Sequence, residues 1–304
     1  MNHTPRQINQ GLWLGLLGIV IFSVTLPMTR LAVGTPGAPQ MSGVFIAMGR
    51  AVVAAVLSAL FLLATRAPLP ARADWRALAI TAGGVVFGFP LLTSIAMRYV
   101  QAMHASVIVG VLPLATAAVG ALLHRQRPST GFWLCAALGS ALVATFAVLH
   151  GGPPSATAST GVSVHGADLL LVAAMLCAAV GYGYGARLSH HMRAEHVICW
   201  ALVIALPITL PLATVNWPST PVDPSAWWGF GYLAVFSMWL GFFAWYRGLA
   251  LGGTVRISQV QLVQPFLSML FAVPLLGEQL DAVTVGFAVA VIATVFVGKK
   301  MPVW

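Results

Sequence analysis

Residues 244–280 read AWYRGLALGGTVRISQVQLVQPFLSMLFAVPLLGEQL, and this stretch decides what kind of protein the chain is. From Ile257 to Leu276 run about 20 nearly uncharged, mostly apolar residues, bounded by Arg256 and by Gly277-Glu278. At the helical rise of about 1.5 Å per residue, such a run crosses a ~30 Å hydrocarbon layer once. Yet it carries Gln259, Gln261 and Gln264, then Pro265 near its middle. An amide facing lipid without a partner costs several kcal/mol, so these groups are expected to face protein or a water-filled cavity.

The rest of the chain has the same character. It is 59% hydrophobic and 7% charged, against roughly 25% charged residues in a soluble domain. The excess of 15 Lys and Arg over 6 Asp and Glu gives a net charge of +9. In a soluble protein that balance would suggest nucleic acid. Here basic residues gathered in cytoplasmic loops account for it, and the expected partner is the lipid bilayer. Apolar segments fall at Gly11–Leu31, Gly43–Ala64, Ala77–Met97, Met103–Leu123, Gly131–Leu149, Ala167–Arg187, Val197–Val215, Trp228–Gly248, Val255–Leu275 and Ala282–Val297. The run that begins after MNHTPRQINQ lacks a convincing small-residue cleavage site and reads as a retained first span.

With the N-terminus in the cytoplasm, the inner side receives Arg6, Arg66, Arg72, Arg76, Arg125, Arg127, Arg187, Arg193, Arg247, Arg256, Lys299 and Lys300. The outer side receives Arg30 and Arg98, and this asymmetry places both termini inside. The expected fold is therefore all-α and integral to the membrane, with ten transmembrane helices. The loop Gly151–Gly161 divides them into a first unit at 1–150 and a second at 151–304. An odd number of spans in each half makes the second enter the membrane in the opposite sense. That is the inverted-repeat geometry of secondary carriers, whose substrate site lies near mid-membrane where the repeats meet. A faint internal match supports it, with Arg98 falling on Arg247, Ser106 on Ser258 and Pro113 on Pro265.

The block Ala244-Trp245-Tyr246, Arg256-Ile257-Ser258, Gln264-Pro265 and Leu276-Gly277-Glu278 resembles the second half of EamA-type carriers of the drug/metabolite transporter superfamily. The resemblance implies two inverted five-helix repeats, with N- and C-termini cytoplasmic, that export or exchange small metabolites. Within it, the chain is also similar to aromatic amino-acid exporters of the YddG kind. The first half departs from the pattern, because His124-Arg125-Gln126-Arg127 stands where an acidic residue is expected.

Polar and aromatic side chains at mid-membrane depth are the candidates for binding a substrate. Ser258, Gln261, Pro265 and Ser268 recur at spacings of three and four and share one face of the ninth span, opposite Ser106, Gly110 and Pro113 of the fourth. Arg50 is the only charge deep in a span and suits a substrate carboxylate; snorkelling to headgroups is its other reading. Tyr182, Tyr184, Trp239 and Tyr246 could stack on a planar substrate or belong to the packing, and Ser94 and Tyr99 at the end of the third span complete the candidate set.

Asp74, Asp168, Glu195, Asp223, Glu278 and Asp281 all fall in loops or at span ends, which disfavours coupling through a buried carboxylate. Flux is accordingly expected to persist without a pH gradient, and strict dependence on one would point to a relay through His104. Glu278 and Asp281 are expected to cap the tenth helix. Neither the His190, His191, Glu195, His196 group nor the cysteines suggest a metal site, and no cofactor is expected. The chain reads as a secondary transporter of small organic metabolites, amino acids first, in a bacterial inner membrane. Export of drugs, a membrane enzyme and a pore remain the alternatives.

Overall fold

The computed structural model describes residues 5–123, 129–150, 164–252 and 257–300. The loop Gly151–Gly161, the basic run His124–Arg127, Arg256, and the side chains of Ser258, Gln259, Lys299 and Lys300 lie outside the described residues. Helices make up nearly all of the rest, in the order α1 (Arg6–Val33), α2 (Gly43–Ala64), α3 (Trp75–Ala96), α4 (Ala102–Gly120), α5 (Thr130–His150), α6 (Gly166–Leu188), α7 (Ala194–Val215), α8 (Pro224–Gly252), α9 (Val260–Leu276) and α10 (Ala282–Lys300). Seven of them, α1 to α4 and α6 to α8, are long and apolar enough to cross a membrane, and α9 is a shorter apolar helix. The described residues contain no strand, only an isolated bridge between Gly34 and Pro39.

Prolines explain most of the helix breaks. Pro27 has no N–H to give the Ser23 carbonyl, α1 is interrupted at Val24, and the freed oxygen accepts a 2.7 Å hydrogen bond from Ser268 Oγ of α9. Pro113 follows a turn at Gly110-Val111, Pro265 follows a 3-10 stretch over Ser258–Val263, and Pro90 follows a π-helical stretch over Gly83–Gly88. Pro207 and Pro211 sit inside an α7 that stays helical throughout. A second π-helical stretch, Leu233–Leu240 in α8, has no proline to account for it.

Packing follows a pattern in the chain order. α1 lies along α8, α2 along α7, α3 along α6, α4 along α9 and α5 along α10. Exchanging helices one to five with six to ten leaves this set of pairs unaltered. Two of the pairs approach closely through glycine. A Cβ on Gly248 of α8 would meet the Gly15 nitrogen of α1 at 2.8 Å, and one on Gly84 of α3 would meet the Gly181 nitrogen of α6 at 2.8 Å. Small residues at such crossings let helices gain contact area where lipid supplies no hydrophobic drive.

Side chains tie the ends together where α1 finishes and α2 begins. Arg30 donates to the Met97 carbonyl at 2.5 Å, and Arg98 donates to the Met41 carbonyl at 2.6 Å. Asp281 caps α10, accepting from the Thr284 N–H at 2.7 Å. Glu278 does something else: its two oxygens accept from the Ala102 and Met103 N–H groups at 2.7 and 2.9 Å, so it caps α4 instead of the helix that follows it. The reason is that Gly277, at φ +68, turns the chain at the end of α9, which packs beside α4.

Candidate functional site

The break in α1, the π-helical turn of α3 and the turn in α4 surround an internal cavity. It is lined by Phe22, Thr25, Arg50, Tyr182, Ser237 and Gln264 among others, and its volume of about 20 Å³ is room for roughly one water. Arg50 comes from α2 and is 2% exposed. Its guanidinium makes no hydrogen bond or ion pair among the described residues, and its Nε is buried without a partner. Thr25 and Ser237 hydrogen-bond each other across the cavity at 2.9 Å, and Tyr182 packs its ring 6.1 Å from Phe242. A buried cation costs several kcal/mol unless an anion or several acceptors answer it. The cavity therefore favours a ligand that carries negative charge.

A second small void, about 10 Å³, adjoins the first and shares Leu26, Val109, Leu112 and Gln264 with it. Its walls include Ser106 and Pro113 of α4 and Gln261, Pro265 and Ser268 of the α9 region. Gly110 completes the contact, since a Cβ there would meet the Pro265 ring at 3.3 Å. Gln261 is 2% exposed and neither its amide nitrogen nor its oxygen has a partner. The hydroxyls beside it are already committed, Ser106 to the Ala102 carbonyl and Ser268 to Ser23, each at 2.7 Å.

The other candidates lie elsewhere. Tyr246 is fully buried against Gly185, its hydroxyl reaching the Gly181 carbonyl at 3.4 Å, which makes it part of the α6–α8 packing. Trp239 meets Phe243 edge-on at 5.1 Å and Phe61 at 6.3 Å. Ser94 is buried near the start of α2, Tyr99 is half-buried beyond the end of α3, and Tyr184 is half-buried in α6. None of these five lines either void. Sequence reasoning missed Thr25 and Ser237, whose only signal is a hydroxyl within an apolar run.

It also misjudged one acid. Asp168 does sit near the end of its helix, but it is only 6% exposed and its Oδ1 accepts from His104 Nε2 of α4 at 2.7 Å. Helix α6 starts early enough to carry Asp168 into the bundle. At the opposite end of the bundle, His191 pairs with Asp74 at 2.9 Å and Glu195 with Arg247 at 3.0 Å. Among the described residues no group of three His, Cys, Asp or Glu could hold a metal.

The EamA-like transporter family matches residues 9–148 and again 165–298. An "Uncharacterized transporter YdeK" of Bacillus subtilis (strain 168) is 40% identical over 288 residues, covering 94% of this chain and 96% of its own. A solved protein crystal structure superposes with a TM-score of 0.63 at 19% identity, over 95% of this chain and 96% of that one, and so shares the fold.

Proposed function

Because the chain belongs to the EamA-like transporter family and is a multi-pass membrane transporter, we propose that it carries small organic metabolites bearing a carboxylate, amino acids foremost, across a bacterial inner membrane by alternating access. In this reading ten helices span the bilayer as two inverted repeats with both termini in the cytoplasm. The helix pairing that survives exchange of the two halves supports the repeat, and the basic residues concentrated on one side support the orientation.

The observation that carries the substrate class is the unpartnered, buried Arg50 in the central cavity. The substrate carboxylate would take the guanidinium, and an apolar or aromatic side chain would lie against Phe22, Phe89 and Phe242, which share the lining. That apolar lining also keeps aromatic amino acids ahead of small polar ones, and favours amphipathic drugs as the second reading. As folded, the cavity is far too small for an amino acid, so binding requires the halves to move apart.

Counterflow in proteoliposomes tests the proposal with a panel of labelled amino acids, L-phenylalanine first. Saturable exchange of at least one member is expected, lost or weakened at least ten-fold in Arg50→Gln. Absence of exchange across the panel, or full exchange by Arg50→Gln at equal abundance, would overturn it.

A further inference from the structure

We infer that the His104–Asp168 pair is a proton-binding site through which transport is coupled to a proton gradient. The pair joins α4 to α6, hence the first half of the chain to the second, through the 2.7 Å bond from Nε2 to Oδ1. Both side chains are about nine-tenths buried, at 10% and 9% exposure. The second carboxylate oxygen, Oδ2, is buried with no partner. The imidazole lies 5.0 Å from the ring of Phe146 on α5, which is itself fully buried and packs on Phe287 of α10 at 5.3 Å. Among the described residues, then, no donor answers Oδ2.

Charge counting gives the chemistry. With one proton bound the pair is imidazolium and carboxylate, net neutral, and can stay buried. When that proton leaves Nδ1 for water, a neutral imidazole and a bare carboxylate remain, and a net negative charge stands in an apolar site. Breaking such a balance costs several kcal/mol, so the deprotonated pair favours a state in which water reaches it. The two protonation states thus prefer different conformations, which is the requirement for coupling.

The other charged groups at this end, among the described residues, are already engaged. Glu278 of the α9–α10 turn caps α4 at Ala102 and Met103, and Asp281 caps α10 at Thr284; Asp223, before α8, accepts from Gln40; Arg30 of α1 bonds Met97 O; Arg98, after α3, bonds Met41 O. Glu278 and Arg30 also interact electrostatically. The same two helices form walls of the substrate cavity, α4 through Val109 and Leu112 and α6 through Ala178 and Tyr182. By helical rise, Val109 lies only about 7 Å along α4 from His104. Separation of the pair would therefore move cavity walls.

Proton binding itself is tested without substrate. Purified protein moved from pH 8.5 to 5.5 should take up about one proton more than Asp168→Asn; equal uptake overturns the site. The coupling half rests on the carrier reading and is tested in proteoliposomes with labelled L-phenylalanine and the membrane potential clamped. One pH unit should drive up to about ten-fold accumulation in the wild type. In a His104→Phe/Asp168→Leu double variant, whose apolar pair suits the buried site, exchange should occur without accumulation. Exchange with no response to the gradient in the wild type, or equal accumulation by the double variant, overturns the coupling. Failure of exchange in the wild type would instead count against the carrier reading with this substrate.

Discussion

Gln261 shows how much a single side chain can say about function in a membrane protein. Its amide is 2% exposed with both polar atoms unpaired, an arrangement that costs a few kcal/mol and has no structural reward. Replacement by Leu is similar in volume and removes the unpaired groups, so thermal stability should hold or rise. If the substrate supplies the missing partner, its apparent affinity should fall roughly five-fold, the value of one neutral hydrogen bond. Gln259→Leu, two residues earlier in the same apolar run, serves as the comparison. Equal transport by the two variants at matched abundance would make Gln261 a packing residue. Gln261 was legible as a candidate because an amide in a 20-residue apolar run is conspicuous. Asp168 was not, because its burial depends on where α6 begins and on a histidine 64 residues away.

Helices and their breaks show the same division. The bounds of α2, Gly43–Ala64, follow from hydropathy alone, since apolar length marks a span without knowledge of its neighbours. Breaks at Pro27, Pro113 and Pro265 follow from a missing N–H. What each freed group bonds instead is tertiary: the Ser23 carbonyl finds Ser268 of α9. Ser268→Ala should therefore cost about 1 kcal/mol, a fall of roughly 2 °C in melting temperature, whereas Ser106→Ala should cost less, because its hydroxyl only back-bonds within α4. Capping was misassigned for a similar reason. Sequence proximity put Glu278 on α10, but the close packing of α9 on α4 delivers it to Ala102. Glu278→Gln should lower stability by about 1 kcal/mol through loss of a charged helix cap, read as an earlier thermal transition. An unaltered transition would place that cap among contacts of no energetic weight.

For the whole molecule, the proposed orientation and repeat rest on counting charges and spans, quantities that need no side-chain geometry. A single cysteine at Gly37, where a Cβ meets nothing within 4 Å, should react with an impermeant thiol reagent added outside intact cells. One at Arg72 should not, and labelling there would reverse the topology. The cavity could not be read the same way, since residues from α1, α2, α6 and α8 meet there only because the two halves pack as they do. In the proposed function Arg50 holds the substrate's carboxylate between those halves. The most direct measurement is the apparent affinity of the wild type and of Arg50→Gln for an exchanged amino acid and for its uncharged carboxamide. The wild type should prefer the carboxylate at least ten-fold, as a charged hydrogen bond is worth about 1.5–3 kcal/mol, and Arg50→Gln should lose the preference. The same preference in both proteins would contradict the account.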